Sequence, residues 1–572
     1  MKRYFQYLRK YKLQCWLGAF SKWIEAALEL LVPLVMADII DTGVTGGRGI
    51  SYVLWGGALM LGMGVVGYVC ALFCQRSASI ASQGFGTNVR NALFKHINTL
   101  SYRELDKIGA ASLVTRTVND VTQMQSAVAM IIRLVVRAPF IAVCSVVICM
   151  VIDWQVGLIV FAAAVIVSLV LWVIMKKSVP LFTRNQRGLD RLAQITNENL
   201  EGARVVRAFQ SRDKERARFD GAADAMLDNS LRIGKISAWL NPLTYAVINF
   251  GVALILLWSG YKVDAGTGLT TGEIIAIINY MMQILNALIV ISNLVSLFTK
   301  AHASMNRVSE IFDLQSSIDG GGSAEPDFSA PAVEMRGVNF SYAGEDRRTL
   351  RDIDFSVPRG AVVGIIGGTG SGKSTLVNLL PRLYDAGEGS VRVFGHDVRE
   401  YPLRELREIF GVVPQNASLF SGTVRSNLFW GNDKATDEDY AAALKVACAY
   451  DFVMEKGGLD QPVTESGKNF SGGQRQRLTI ARAVVGKPKI LILDDSCSAL
   501  DFATDAAVRA NIAALEGVTT FIVSQRASSL HGADVIFVME DGKIIGRGRH
   551  EELYGTCPLY TEICDSQARA AV

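Results

Sequence analysis

The sequence predicts an all-α six-helix transmembrane domain followed by an α/β P-loop domain. Three observations lead there. Six apolar blocks, near 15–40, 52–75, 130–152, 155–175, 239–261 and 273–298, are each long enough to cross about 30 Å of hydrocarbon as a helix. A stretch rich in glycine, serine, proline and acid, 313–332, follows them and reads as a flexible linker. Beyond it, an apolar strand run from Val362 to Ile366 leads into Gly367-Gly368-Thr369-Gly370-Ser371-Gly372-Lys373-Ser374, and Thr375 then begins an apolar helix. That is the G-x-x-x-x-G-K-S phosphate loop in its expected place between strand and helix. The expected boundaries are 1–312 for the membrane domain, 313–332 for the linker and 333–572 for the soluble domain.

Bulk composition agrees with this division. Half of the residues are hydrophobic and only 20% are charged, with the apolar residues concentrated in the N-terminal half. A net charge of +4 is too small to argue for a nucleic-acid partner. The nine cysteines are odd in number and lack zinc spacing, so reduced, buried thiols are expected. The first apolar block is too long for a signal peptide and is expected to stay as a span.

Spacing between the blocks is uneven. The links at 41–51, 153–154 and 262–272 are short, whereas 76–129 and 176–238 are long, polar and rich in helix formers. The long links are expected to continue the membrane helices well beyond the bilayer, because structureless loops of that length are uncommon. Each must turn back once, and Gly109 and Gly202 are the candidate breaks. A short helix at each turn would dock onto the soluble domain. Basic residues set the orientation. The head carries Lys2, Arg3, Arg9, Lys10 and Lys12, and the second long link is rich in arginine, while the short links offer only Arg48 and Lys262. By the positive-inside rule both termini and both long links are cytoplasmic. The head itself mixes bases with Tyr4, Phe5, Tyr7, Leu8 and Tyr11, as a helix lying on the inner leaflet would.

Charges inside the spans are candidates for function. Glu25 and Glu29 share one helical face. They would meet a cationic substrate group or a proton, or else form a structural pair with a neighbouring helix. Arg133 and Arg137 also share a face, near the end of the third span, where snorkelling to the headgroups accounts for them. Aromatics such as Trp16, Trp23, Trp172, Trp239 and Phe250 fit an apolar cavity and fit helix packing equally well.

In the soluble domain, the glycine-rich loop would wrap a phosphate chain with inward-pointing N–H groups, Lys373 would reach the β- and γ-phosphates, and Ser374 would hold Mg²⁺. Ile490 to Asp494 is a buried-strand run ending in acids: Asp494 is placed to hold Mg²⁺ through water and Asp495 to polarise an attacking water. Ser471-Gly472-Gly473-Gln474 opens a helix and offers a second anion site, for a nucleotide held mainly by another domain. Gln415 lies in a loop able to sense Mg²⁺ and the γ-phosphate, and Tyr342 is the candidate adenine-stacking ring.

This order of motifs resembles an ATP-binding-cassette (ABC) nucleotide-binding domain with its helical subdomain. Six helices with long cytosolic links, N-terminal to the cassette in one chain, resemble the type IV exporter half-transporters. The likeness covers nearly the whole chain, and the Ser-Gly-Gly-Gln signature downstream of the P-loop is its most specific part. It implies two chains facing head to tail, with each ATP and its Mg²⁺ between the P-loop of one and the signature of the other. It also implies coupling helices near 106–112 and 202–212, and a D-loop at Ser498 to Asp501.

The chain departs from the family pattern at two positions. Asp495 stands where the family has Glu, and Gln525 where it has His. The first carboxylate is one methylene short, and a displacement of order 1 Å can cost about 10²-fold in rate. The second side chain can hydrogen-bond but cannot be charged. The expected protein is therefore the degenerate-site subunit of a bacterial heterodimeric exporter in the plasma membrane. Its own P-loop would bind ATP and turn it over slowly. A non-identical half-transporter would supply the Glu and His, and Ser471, Gly472 and Gly473 would complete that partner's active site. Drug-like or lipid-like compounds are the substrate class that the resemblance suggests. An ATP-gated regulator or channel, and an exporter-fold siderophore importer, are the alternatives.

Overall fold

The computed structural model describes residues 2–264, 268–342, 347–496 and 499–570. The chain forms two compact units. One comprises 1–98 and 111–313, and the other 99–110 and 314–572.

The first unit is helical throughout. It contains α1 (Lys2–Leu8), α2 (Lys12–Asp38), α3 (Ile50–Ile97), α5 (Ala110–Ile152), α6 (Trp154–Glu201), α7 (Ala203–Ala208), α8 (Arg212–Ala238), α9 (Leu240–Asp264) and α10 (Thr271–Asp313), with α4 (Tyr102–Ile108) belonging to the second unit. A helix covers each of the six apolar blocks. Among the described residues, five helical rods are long and apolar enough to cross a membrane; α2 is not counted because Lys22, Glu25 and Glu29 interrupt its apolar face. The short third link is a capped corner: the Asp153 carboxylate accepts from the N–H groups of Gln155 and Val156 at 2.8 and 3.1 Å, so α6 starts as soon as α5 ends. The expected link at 262–272 lies partly outside the described residues. A buried cluster that includes Leu30, Ile141, Val160, Ile248, Ile277 and Ile284 joins α2, α5, α6, α9 and α10. Tyr280 fixes their register by donating to the Leu30 carbonyl at 2.6 Å.

Both long links are helical, and the breaks fall at the glycines. Gly109, at φ +81°, ends α4, and Gly202 ends α6. Two expectations for the membrane unit are refined. Of the apolar residues in the head, Phe5 is exposed, as a leaflet-facing residue would be, but Tyr4 turns inward. Tyr4 is buried and donates to the Met305 carbonyl at 3.0 Å beside Ser309, while Arg3 pairs with Asp313 at 2.6 Å and stacks over Phe312. The far end of α10 thus supplies the partners of Arg3 and Tyr4. Arg137 need not snorkel to find a partner. Its guanidinium meets Glu29 at 2.7 Å, and Arg133 donates to Ser79 at 3.0 Å. A partner within reach satisfies an intramembrane charge without the long side chain having to stretch.

The second unit has two principal sheets. Strands β3 (Val362–Gly367), β6 (Phe410–Val413), β9 (Ile490–Asp494), β10 (Thr519–Val523), β11 (Val535–Glu540) and β12 (Lys543–Gly548) form a six-stranded sheet in the order β12-β11-β3-β10-β9-β6, parallel except at β12. Every residue of β9 and β10 is buried, which is why these strands read as continuous apolar runs. Strands β1 (Val333–Phe340), β2 (Leu350–Val357), β4 (Glu388–Val393) and β5 (His396–Asp397) form an antiparallel sheet in the order β2-β1-β4-β5. Helices α11 (Lys373–Leu379) and α12 (Leu403–Glu408) accompany the sheets. A helical subdomain follows: α13 (Val424–Phe429), α14 (Asp437–Val446), α15 (Tyr450–Glu455) and α16 (Gly472–Val485), with the small β7 (Gly422–Thr423) and β8 (Pro462–Val463) pair. Then come α17 (Phe502–Ala513), α18 (His550–Leu553) and α19 (Pro558–Ala570).

The glycine-rich stretch 313–332 is not a free tether. Ala324 donates to the Glu400 carbonyl at 3.0 Å, Asp327 to that of Phe394 at 3.1 Å and Ala332 to that of Val357 at 2.9 Å. Asp319 receives Arg382 at 2.8 Å. The glycines permit close backbone approach: a Cβ on Gly321, at φ +78°, would collide with the Tyr401 carbonyl oxygen. Composition suggested flexibility, but glycine is equally the residue that lets two backbones touch.

Candidate nucleotide-binding site

The P-loop joins β3 to α11 at the middle of the parallel sheet. Gly367 cannot carry a side chain, because its Cβ would strike the Met539 carbonyl of β11. Gly372, at φ +96°, is the left-handed residue from which α11 springs. Between them the loop doubles back, with Ser371 N–H on the Gly368 carbonyl at 3.3 Å and Gly542 N–H on the Ser371 carbonyl at 3.2 Å. Lys373 is buried and donates to the Gly367 and Gly368 carbonyls at 2.9 and 2.7 Å. Burial holds its ammonium below the usual lysine range, opposed by Asp495 and Asp494. An ammonium held this way is positioned for phosphate oxygens at little further desolvation cost.

Ser374 donates to Asp494 at 2.9 Å. Asp494 ends β9 and is buried beside Asp495, and both carboxyls are pushed above the usual range, chiefly by burial. Asp495 adopts φ +45°, its N–H donates to the Val523 carbonyl at 2.9 Å, and Gln415 reaches its Oδ2 at 3.4 Å. The Ser374 hydroxyl and the Asp494 carboxylate are oxygen donors of the kind that Mg²⁺ takes together with phosphates and waters, whereas Gln415 turns its Nε2 to Asp495. Tyr342 is tied to Thr375 at 3.1 Å and packed edge-on by Phe340 and Tyr384, at 5.0 and 5.3 Å between ring centroids. The ring is therefore held in one orientation beside the first turn of α11.

The signature opens α16. Ser471 and Gln474 form a capping box, Ser471 N–H to Gln474 Oε1 at 3.1 Å and Gln474 N–H to Ser471 Oγ at 3.3 Å, with Lys456 also on Gln474 Oε1 at 3.2 Å. A Cβ on Gly472 would meet nothing, so that face of the helix N-terminus stands open, and the first turn carries no acid. Phe470 is buried against Phe452, so the ring is an anchor and not a contact surface. Asp501 caps α17 by accepting from Thr504 at 2.9 and 2.8 Å, which holds its carboxyl below the usual range. Ser498 lies outside the described residues.

Within this unit, 367–375, 415, 494 and 495 are brought together, and 471–474 form a separate cluster whose hydrogen bonds stay within the helical subdomain. The Gln525 side chain is exposed, and its backbone carbonyl accepts from Gln567 of α19 at 2.6 Å. Gln567 gave no signal in the sequence, since a lone glutamine on a C-terminal helix belongs to no motif. The first expected coupling segment packs within the same unit: Tyr384 donates to Asp106 at 2.5 Å, and Ser101 meets Ser317 at 2.8 Å. The second, α7, belongs to the membrane unit. Glu25 pairs with Lys22 at 2.7 Å and Glu29 with Arg137, so both carboxylates have protein partners.

Comparison with known proteins agrees with this arrangement. The family profile for the ABC transporter transmembrane region matches residues 15–288, and that for the ABC transporter matches 350–498. An ABC transporter ATP-binding protein of Mycobacterium tuberculosis, described as uncharacterized, is 36% identical across 99% of this chain and 98% of its own. The chain belongs to the ABC transporter family. The uncharacterized ABC transporter YfiB of Bacillus subtilis is 33% identical over 99% of this chain and 98% of its own, and the ATP-dependent lipid A-core flippase of Vibrio parahaemolyticus is 29% identical over 98% and 97%. A bacterial Atm1-family ABC exporter solved with ATP bound superposes with a TM-score of 0.81 at 24% identity, covering 99% of this chain and all of the other. This ABC transporter therefore has the exporter fold, a helical membrane domain followed by an ATP-binding domain, and is an integral membrane protein of the ATPase-coupled type. Chains of this architecture act as dimers.

Proposed function

We propose that this ABC transporter is the slow-site subunit of a heterodimeric exporter for hydrophobic or amphipathic compounds. The single observation that carries the reading is the pairing of Asp495 and Gln525 at the P-loop site with a complete signature at Ser471 to Gln474. Lys373 would bind the β- and γ-phosphates, the loop amides would cradle them, and Tyr342 would take the adenine. Ser374, and Asp494 through water, would hold Mg²⁺, whose positive charge would neutralise the phosphates when bound. Asp495 stops one methylene short of the usual base, and Gln525 offers only a neutral amide. ATP would therefore be clamped here and consumed slowly. The open N-terminus of α16 would complete the partner's faster site. A basic head and a basic second link support a cytoplasmic ATP-binding domain. The lipid A-core flippase relatives support an amphipathic substrate.

The test is the ATPase of the full-length chain purified alone. Little turnover is expected. Robust turnover abolished by Asp495→Asn would refute the slow-site assignment. In the assembled pair, Ser471→Arg is expected to cripple ATPase, and an unaffected pair would refute the composite site. ATP-dependent accumulation of a lipid-like dye in inverted vesicles, as against passive conductance, separates export from the channel reading.

A further inference from the structure

We infer that Gln567 is a positioning residue for the ATP site: its side-chain amide fixes the backbone from which residue 525 faces the γ-phosphate. The geometry is a two-point clamp. Gln567 Nε2 donates to the Gln525 carbonyl at 2.6 Å, and Gln567 Oε1 accepts from the Ala527 N–H at 2.9 Å. One amide thus brackets residues i and i+2 where the chain leaves β10 and turns into the short 3-10 helix Ala527–Ser529. The segment leaves β10 at Val523, Ser524 is still tied to the Ile365 carbonyl of β3 at 3.1 Å, and the Ser524 hydroxyl receives the Arg526 N–H at 2.9 Å. Beyond Ser524 the carbonyl of Gln525 and the N–H of Ala527 are held by Gln567.

The clamp is anchored independently of the site. Tyr560 is fully buried, its hydroxyl meets His550 Nδ1 at 2.8 Å, and Cys557 is buried at the start of α19. Gln567 lies about two helical turns beyond Tyr560 and hence on the same face. The His550 ring also lies over that of His531, 4.0 Å between centroids, which is a second contact between the C-terminal segment and the chain that follows Ala527. The Gln525 side chain is left exposed while its backbone is fixed from behind. This is the arrangement expected if the backbone is held and the side chain works.

The inference depends on the reading that residue 525 stands at the γ-phosphate, and the test separates the two. Full-length chain in nanodiscs is assayed with Mg-ATP in two backgrounds, the natural sequence and Asp495→Glu with Gln525→His. Gln567→Leu removes both hydrogen bonds. Gln567→Glu keeps the acceptor for Ala527 but sets a carboxylate oxygen against the Gln525 carbonyl. For one positioning hydrogen bond the expected loss of kcat is about tenfold in both variants, with KM for ATP unchanged. Hydrogen exchange at the Ala527 amide is expected to quicken in the Leu variant and not in the Glu variant, while the Tyr560 segment stays protected in both. An unchanged kcat ratio in both backgrounds, or an Ala527 amide that exchanges at its natural rate in the Leu variant, would overturn the positioning role. An Asp495→Glu, Gln525→His chain no faster than the natural one would count against the slow-site reading alone, because the clamp is measured by ratios within each background.

Discussion

Arg382→Ala should be among the most damaging single changes in the ATP-binding unit. The side chain is 2% exposed, sits at φ +52°, and places Nε on Asp385 Oδ1 at 2.8 Å and Nη2 on Asp319 Oδ1 at 2.8 Å. Asp385 is 28% exposed and Asp319 84% exposed. The two arms are therefore unequal. Asp319 is screened by water and contributes little. Removing the guanidinium from Asp385 leaves a mostly buried carboxylate without its cation, which costs about 3–5 kcal/mol. Arg382 Nη1 is already buried without a hydrogen-bond partner, and its removal gives back about 1 kcal/mol, so a net loss of about 3 kcal/mol is expected. For a unit of this size that lowers the melting temperature by about 6–12 °C. The assay is thermal scanning of the full-length chain, with ATP used to identify the transition that belongs to the ATP-binding unit, since a ligand raises only the transition of the unit it binds. Asp385→Asn should lose most of the same stability and Asp319→Asn only a small part of it. Equal losses for the two aspartates would refute the assignment of the energy to the buried arm.

Three further outcomes are expected. Asp495→Glu with Gln525→His should raise the ATPase of the chain alone by about 10²-fold, read as steady-state phosphate release. Asp494→Asn should raise the melting temperature of the nucleotide-free chain at neutral pH. Burial lifts this carboxyl above its unfolded value, so its charge opposes folding at neutral pH; the gain should shrink as pH falls below the folded pKa and be gone below the unfolded one, where the side chain is protonated in both states. Gly321→Ala should destabilise the ATP-binding unit by about 2 kcal/mol or more, read by urea unfolding, because it combines a positive φ with a collision at the Tyr401 carbonyl.

Much of the architecture was legible in the sequence because it is written locally. Apolar blocks of membrane length, the glycine pattern of 367–374 and the capping residues Ser471 and Gln474 each declare their structure within a few residues. The breaks at Gly109 and Gly202 were legible for the same reason. What escaped notice depends on contacts between distant segments. Tyr4 reads as an interfacial aromatic until Met305 and Ser309 are beside it. Glu29 reads equally as a substrate ligand or as a structural partner, and only Arg137 across the helix bundle decides for the second. Gln567 carries no local pattern at all, because its partners are backbone atoms, which have no letter in the sequence. Residues 313–332 misled for a related reason: composition reports how freely a backbone can bend, not whether another backbone is waiting beside it.

That last segment bears on how the protein can be cut and spliced. A fragment begun at Val333, where the first strand starts, would lose Ala332, fully buried and paired with Val357 and Phe394, and Ile318, also buried. It would uncover Tyr401 and strand the Arg382 pair on one aspartate. A fragment begun at Leu314 would retain these partners. Inserted residues that a spacer would absorb would here shift Asp319, Ala324 and Asp327 out of step with three separate partners, Arg382, Glu400 and Phe394. The stretch that looks most disposable in the chain is thus the one whose length is fixed at both ends.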